Sequence, residues 1–278
     1  MACDRPIYVK KNKYLPTSIP VMCGKCPPCL KRRVDSWVFR LQQEEKNWKY
    51  SHFVTLTYDT DHVPLSHNGF MTLRKKQIQD FLKRLRKLQN EKLVYYIVGE
   101  YGEANHRPHY HGIFFNVQSA EFYSRAWALK NKQFGHIDIA GVSGDSIAYT
   151  CKYMQKKRRK KKHGRCDWER EFSLMSQHIG ANYLTEKIIN YHKSRPNELF
   201  LTLRGGYRIA MPKYYRDKIF SEHEKFNQIH HIKEVLSEKQ NEEILECKKN
   251  NVDYDRYKHI QEMNRTKIYN KSRKKRKL

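Results

Sequence analysis

No stretch of the sequence approaches the roughly 20 consecutive apolar residues of a membrane-spanning helix. The first residues, MACDRPIYVKKNKYLPTS, also lack the apolar core of a signal peptide. There is no Gly-x-x-x-x-Gly-Lys-Ser/Thr phosphate loop, and no internal repeat with a period of about 20 to 50 residues. Acidic residues are scarce: 29 Asp and Glu stand against 56 Lys and Arg, for a formal charge of +27 in 278 residues. The apolar fraction of 38% and mean hydropathy of −0.92 imply a modest core with long polar appendages, part of which is expected to order only on a partner. So large an excess of positive charge calls for a polyanion, and with a membrane set aside the expected partner is nucleic acid. The seven cysteines are an odd number, four of them within the first 29 residues, which fits a reducing cytoplasm better than a disulfide framework.

Periodicity then divides the chain. Leu30, Val34, Trp37, Val38 and Leu41 recur at helical spacing after the cysteine-rich start, so residues 1–50 are read as a Cys-rich segment and a basic helix. His52 to Tyr58 is rich in β-branched and aromatic residues and predicts a strand. Ile78, Phe81, Leu82 and Leu85 predict a second helix with a basic outer face. Leu93 to Val98 and His109 to Phe115 predict two strands joined as a hairpin through a turn at 99–108. A helix over 120–129, a strand over 135–142 and a helix from Asp145 to about Lys157 complete the pattern. The order β-α-β-β-α-β-α over 51–165 implies an α+β fold, an antiparallel sheet with helices on one face. Residues 166–278 are expected to form a basic, mostly helical region with a short β-hairpin around Gly205 and Gly206 and a disordered tail over 271–277.

Two groups of residues carry candidate chemistry. His109 and His111 flank one residue on a predicted strand, so both imidazoles project from one face, about 7 Å apart at the backbone. Glu100, nine positions earlier, is the candidate third ligand, with Glu103 in the turn as its substitute. Two imidazoles and one carboxylate leave positions open, which suits Mg²⁺ or Mn²⁺ engaged with a phosphate oxygen. Tyr149 and Tyr153 stand at i and i+4 on a predicted helix, so their hydroxyls share a face and can address one phosphate in turn; Lys152 lies between them. An aromatic pair at this spacing is also what a helix core presents. The basic run that includes Lys156, Lys157, Arg158 and Arg159 is read as the end of the core and a DNA contact. Cys23, Cys26 and Cys29, with Cys3, are candidate ligands of a structural Zn²⁺; reduced thiols in a Pro-Pro turn are the alternative.

FVTLTYD at 53–59, PHYHGIFF at 108–115 and YTCKYMQK at 149–156, in that order, resemble the three-motif signature of the HUH endonucleases. The Tyr-x-x-Lys-Tyr spacing resembles the two-tyrosine branch of that superfamily. CGKCPPC at 23–29, FSLMSQHIG at 172–180 and MPKYYRDKIF at 211–220 extend the resemblance to the replication initiation proteins of the Microviridae, of gokushovirus type. The resemblance implies a ferredoxin-like sheet with His109 and His111 on a central strand. It implies a metal-dependent nickase that cuts an origin on single-stranded and replicative-form DNA through Tyr149 or Tyr153, then rejoins the displaced strand into a circle. It further implies action in a bacterial host's cytoplasm with host helicase and polymerase as partners. Tyr110 stands where that family prefers an apolar residue between the histidines. A noncatalytic basic protein that grips single strands by phosphate contacts and base stacking is the competing expectation; a plasmid-mobilisation nickase is a second.

Overall fold

In the SHFVTLT, VYYIVGEY and PHYHGIFF segments, β-branched and aromatic side chains alternate across a pleat. The computed structural model describes residues 3–10, 18–130, 132–153, 166–203 and 205–275. Lys156, Lys157, Arg158 and Arg159 lie outside the described residues. In chain order the elements are β1 (Ile7–Lys10), β2 (Ser18–Val21), α1 (Pro27–Glu45), β3 (Ser51–Thr57), α2 (Lys75–Lys87), β4 (Val94–Tyr101), β5 (Pro108–Phe115), α3 (Glu121–Ala126), β6 (Ala128–Leu129) and β7 (Lys132–Gln133). There follow β8 (Ile137–Gly141), α4 (Gly144–Lys152), β9 (Phe172–Met175), α5 (Glu186–Lys193), β10 (Phe200–Thr202), β11 (Arg208–Ala210), α6 (Lys213–Ile219), α7 (Glu222–Lys249) and α8 (Tyr254–Lys275). These fall into two units, residues 37–182 and residues 1–36 with 183–278. No described helix is long and apolar enough to cross a membrane.

The 37–182 unit is α+β. Its described strands form an antiparallel sheet in the order β8-β3-β5-β4-β9, which puts β5 at the centre. On one face Val54, Leu56, Ile97, Tyr110 and Phe114 pack against Ile78, Phe81, Leu82 and Leu85 of α2 and against Tyr123, Ala126 and Trp127. Burying each of those four α2 side chains stabilises the unit by about 1.5–3 kcal/mol. On the other face Trp37 of α1 lies on Tyr96, with ring centroids 5.0 Å apart, and Tyr149 of α4 meets Phe53 edge-on. Helices therefore cover both faces, not one: the sequence expectation followed the strong α2 stripe and overlooked the aromatic contacts that α1 and α4 make opposite it.

Three further differences have local causes. The β4–β5 hairpin is longer than expected, so Glu100 sits inside β4 directly opposite His109. The helix over 120–129 stops at Ala126, and β6 pairs with β7 immediately after it. The 271–275 part of the expected disordered tail is helical, the end of α8; Lys and Arg are good helix formers, and the charge run hid that propensity. Neither the β1–β2 hairpin nor β9 was anticipated, each being a four-residue strand with too little sequence to carry a period. The other unit carries the expected β10–β11 hairpin and the helices α5 to α8; α7 opens on a capping box between Ser221 and Glu224.

Two residues of β5 fix its face. Tyr110 is fully buried, its hydroxyl 3.0 Å from that of Tyr58 and accepting from the Arg74 backbone N–H at 2.9 Å. Gly112 lies under the ring of Phe114, which would collide with any Cβ there. We expect Tyr110→Ala to lower unfolding free energy by about 3–5 kcal/mol and Tyr110→Phe by about 1–3 kcal/mol in urea titrations. A Phe variant as stable as the parent would show that the hydroxyl network does not anchor the strand.

Candidate histidine-tyrosine site

Strand alternation turns His109 and His111 to the face opposite Tyr110. In the register of the sheet, His111 faces Thr55 of β3 and Val98 of β4, while His109 faces Thr57 and Glu100. The two imidazole rings are nearly parallel, 4° between planes, with centroids 6.5 Å apart. His111 Nδ1 lies 3.1 Å from Thr55 Oγ1 and its Nε2 lies 3.1 Å from Glu100 Oε1. Both His111 and Glu100 are buried, at 7% and 6% exposure, so each depends on the other for hydrogen bonding. His109 is half-buried; its Nδ1 is enclosed without a hydrogen bond of good geometry, and burial lowers its pKa, keeping the imidazole neutral.

The tyrosines arrive from α4. Ser143 caps that helix, accepting from the Ser146 N–H at 3.1 Å while Ser146 Oγ accepts from the Ser143 N–H at 2.8 Å. Tyr149 lies in the helix body and Tyr153 is its C-cap residue. Their rings meet edge-to-face at 5.0 Å. Both also contact His111: Tyr153 stacks parallel on it at 4.9 Å and Tyr149 approaches its edge at 5.6 Å. The Tyr153 phenol is pushed well above its ordinary pKa, first by burial and then by the charge of Glu100. Lys152 is the last residue of α4, half-buried and one position before Tyr153.

His109, His111, Glu100, Tyr149 and Tyr153 are thus brought together. Glu103 instead sits exposed in the β4–β5 turn. As a donor set, two imidazoles and a carboxylate on one face of adjacent strands fit a divalent ion with open coordination positions; His111 and Glu100 are here bonded to each other. Thr55 is the residue that sequence reasoning missed. Its position in the FVTLTYD run gave no sign of a partner, and only the β3–β5 register sets it opposite His111.

Among the described residues, Cys3, Cys23, Cys26 and Cys29 are the one cluster of three or more metal-ligand side chains whose donor atoms all lie within 4.8 Å of one another. The four belong to the other unit. Backbone N–H groups of Lys25 and Cys26 donate to Cys23 Sγ and lower its pKa to about 6.

The family model of the replication-associated protein ORF2 type matches residues 51–158, which take in β3, β5 and α4. The chain is 27% identical over 215 residues to Replication-associated protein VP4 of Bdellovibrio phage phiMH2K, covering 70% of this chain and 66% of that protein. It is 28% identical over 240 residues to Replication-associated protein ORF4 of Chlamydia phage 1, covering 76% and 57%. Against Replication-associated protein ORF2 of Spiroplasma virus 4 it is 30% identical over 244 residues, covering 81% and 75%. The match thus spans just under two thirds of the first of these relatives and a smaller part of the second. No solved structure matches the chain. The α+β sheet with its histidine and tyrosine cluster is that of a phage replication-associated protein. More narrowly, the chain belongs to the replication-associated proteins of Microviridae type.

Removing the Thr55 hydroxyl tests how His111 is held. Thr55→Val is expected to cost about 1 kcal/mol and to mix the two neutral tautomers of His111, read from its imidazole ¹⁵N shifts. Unchanged shifts would mean that Glu100 alone sets the ring.

Proposed function

We propose that this chain initiates rolling-circle replication as an HUH-type nickase with two tyrosines. The observation that carries the reading is that Tyr149 and Tyr153 both contact His111, the residue that also bonds Glu100. The β3-α2-β4-β5-α3-β8 connectivity, with β5 central, supports the ferredoxin-like form of that fold. The formal charge of +27 supports single-stranded and replicative-form origin DNA as substrate. The relatives come from phages, so the bacterial cytoplasm, with host helicase and polymerase as partners, is the proposed setting.

In the proposed reaction one tyrosine Oη attacks the scissile phosphorus in line with the departing O3′. The phosphorus–O3′ bond breaks as the phosphorus–Oη bond forms, and the tyrosine proton ends on O3′ or solvent. The products are a 5′-phosphotyrosine ester and a free 3′-hydroxyl. The ester keeps the bond energy, so a later 3′-hydroxyl can attack it, release the tyrosine and close a circle without ATP. The other tyrosine makes the second cut.

A free phenol is only about 0.1% ionised at pH 7, and Tyr153 is less so. Positive charge must therefore meet the developing phenolate and phosphoryl oxygens. Lys152 is the proposed source within the helix, and Lys156, Lys157, Arg158 and Arg159 are proposed to hold the DNA backbone. His109, His111 and Glu100 would hold Mg²⁺ or Mn²⁺, which would polarise the scissile phosphate. Thr55 and Glu100 orient His111 from its two nitrogens, and the parallel Tyr153 ring shields it from water.

Incubation with an end-labelled single-stranded origin oligonucleotide and Mn²⁺ is expected to give a shortened strand and a DNA-linked peptide containing Tyr149 or Tyr153. His111→Ala should abolish cleavage and leave salt-sensitive DNA binding intact. Binding of many candidate origins with no cut and no adduct would instead support a noncatalytic single-strand binding protein; equal loss of cleavage and binding in His111→Ala would remove the histidine from the chemistry.

A further inference from the structure

The unit built from residues 1–36 and 183–278 begins with a segment that apolar burial does not hold. In β1, Ile7, Tyr8 and Val9 are 51%, 66% and 46% exposed, and the strand pairs only with β2 among the described residues. An isolated two-stranded hairpin is at best marginal in water. What positions residues 3–10 is polar, and it starts at Cys3.

The sulfurs lie 3.5 Å apart for Cys3 and Cys29, 3.7 Å for Cys3 and Cys26, and 3.9 Å for Cys23 and Cys29. Four sulfurs each about 2.3 Å from a zinc ion form a tetrahedron with edges of about 3.8 Å. All four thiols are free. Gly24, at φ +69°, turns the chain between Cys23 and Cys26, so that the Lys25 and Cys26 N–H groups point at Cys23 Sγ at 3.4 and 3.3 Å. The Cys23 N–H likewise reaches Cys3 Sγ at 3.3 Å. Pro27 opens α1, which sets Cys29 in its first turn, where the helix dipole favours a thiolate.

The residues after Cys3 grip α8. The Asp4 carboxylate, 2% exposed, accepts from Arg265 at 2.8 and 3.0 Å. Arg5 donates to Glu262 at 2.8 and 3.1 Å. Glu262 and Arg265 are one turn apart and share a face of the helix. One potential ligand and two docking residues are thus consecutive in sequence.

We propose that Cys3, Cys23, Cys26 and Cys29 bind one zinc ion, and that by anchoring Cys3 this ion holds Asp4 and Arg5 against α8, so that metal loading docks the C-terminal basic helix. The four sulfurs supply a closed tetrahedral shell, which makes the site structural rather than catalytic. Structural zinc contributes its binding energy to folding, and here that energy reaches α8 through the two ion pairs.

The test uses the full chain. Elemental analysis after purification from zinc-supplemented medium is expected to give one zinc per chain, lost in the Cys26→Ser, Cys29→Ser double variant. Cobalt exchanged into the parent should show the visible and thiolate charge-transfer bands of a tetrahedral tetrathiolate. Hydrogen exchange reads the coupling: Asp4→Asn should keep its zinc yet exchange about tenfold faster over residues 254–275, with β5 unchanged. Parent protein that carries no zinc and takes up no cobalt, or whose four sulfurs are disulfides, overturns the site. A zinc-loaded Asp4→Asn protein whose α8 exchanges like the parent overturns the docking role.

Discussion

Everything at the histidine-tyrosine cluster depends on the pleat of one strand. β5 is central, so its two faces meet different worlds, and a slip of one residue would exchange them. Tyr110 prevents the slip. Its ring fills the α2 side while its hydroxyl is held by Tyr58 and the Arg74 amide, an arrangement no apolar residue of similar size could make. The departure from the family's apolar preference between the histidines is therefore a stronger lock, not a looser fit. Gly112 completes it by letting Phe114 lie flat across the strand.

On the opposite face the same pleat creates an electrostatic problem. Glu100 is a buried carboxylate in a chain of charge +27, and burying it unpaired would be costly. His111 satisfies it directly, and Thr55 fixes the imidazole from the far nitrogen. Such a fully bonded pair holds its groups in place, which is the condition for a reactive constellation. Tyr153 stacks on this pair and is itself made more difficult to ionise by it. A site that combines a reluctant phenol with a buried carboxylate calls for added positive charge before any phosphate chemistry, and the proposed metal and DNA contacts answer that need.

Much of this was legible in the residues. The α2 stripe, the β4–β5 hairpin, the β10–β11 hairpin and the helical C-terminal region each carry a period or turn signal long enough to read. Periodicity also put His109 with His111 and Tyr149 with Tyr153. What one sequence could not carry was pairing across the sheet. Thr55 became a neighbour of His111, and Glu100 rather than Glu103 a neighbour of His109, only through register. The four-residue strands β1 and β9 were too short to declare themselves. Helices on both faces escaped notice because α4 contacts the sheet through aromatic rings that also suit a plain helix core.

The end of α4 explains how two tyrosines share one imidazole without competing for it. Both rings belong to one helix face, but Tyr149 is inside the helix and Tyr153 is its cap. They consequently approach His111 at nearly perpendicular angles, 84° for one and 2° for the other. Edge and face are different contacts with the same ring, so neither displaces the other. A pair related by strict helical repetition in mid-helix would present two similar contacts and crowd the histidine. Two tyrosines that are equivalent in sequence spacing are thus inequivalent in surroundings, which is what a reaction with a first and a second cut requires of its nucleophiles.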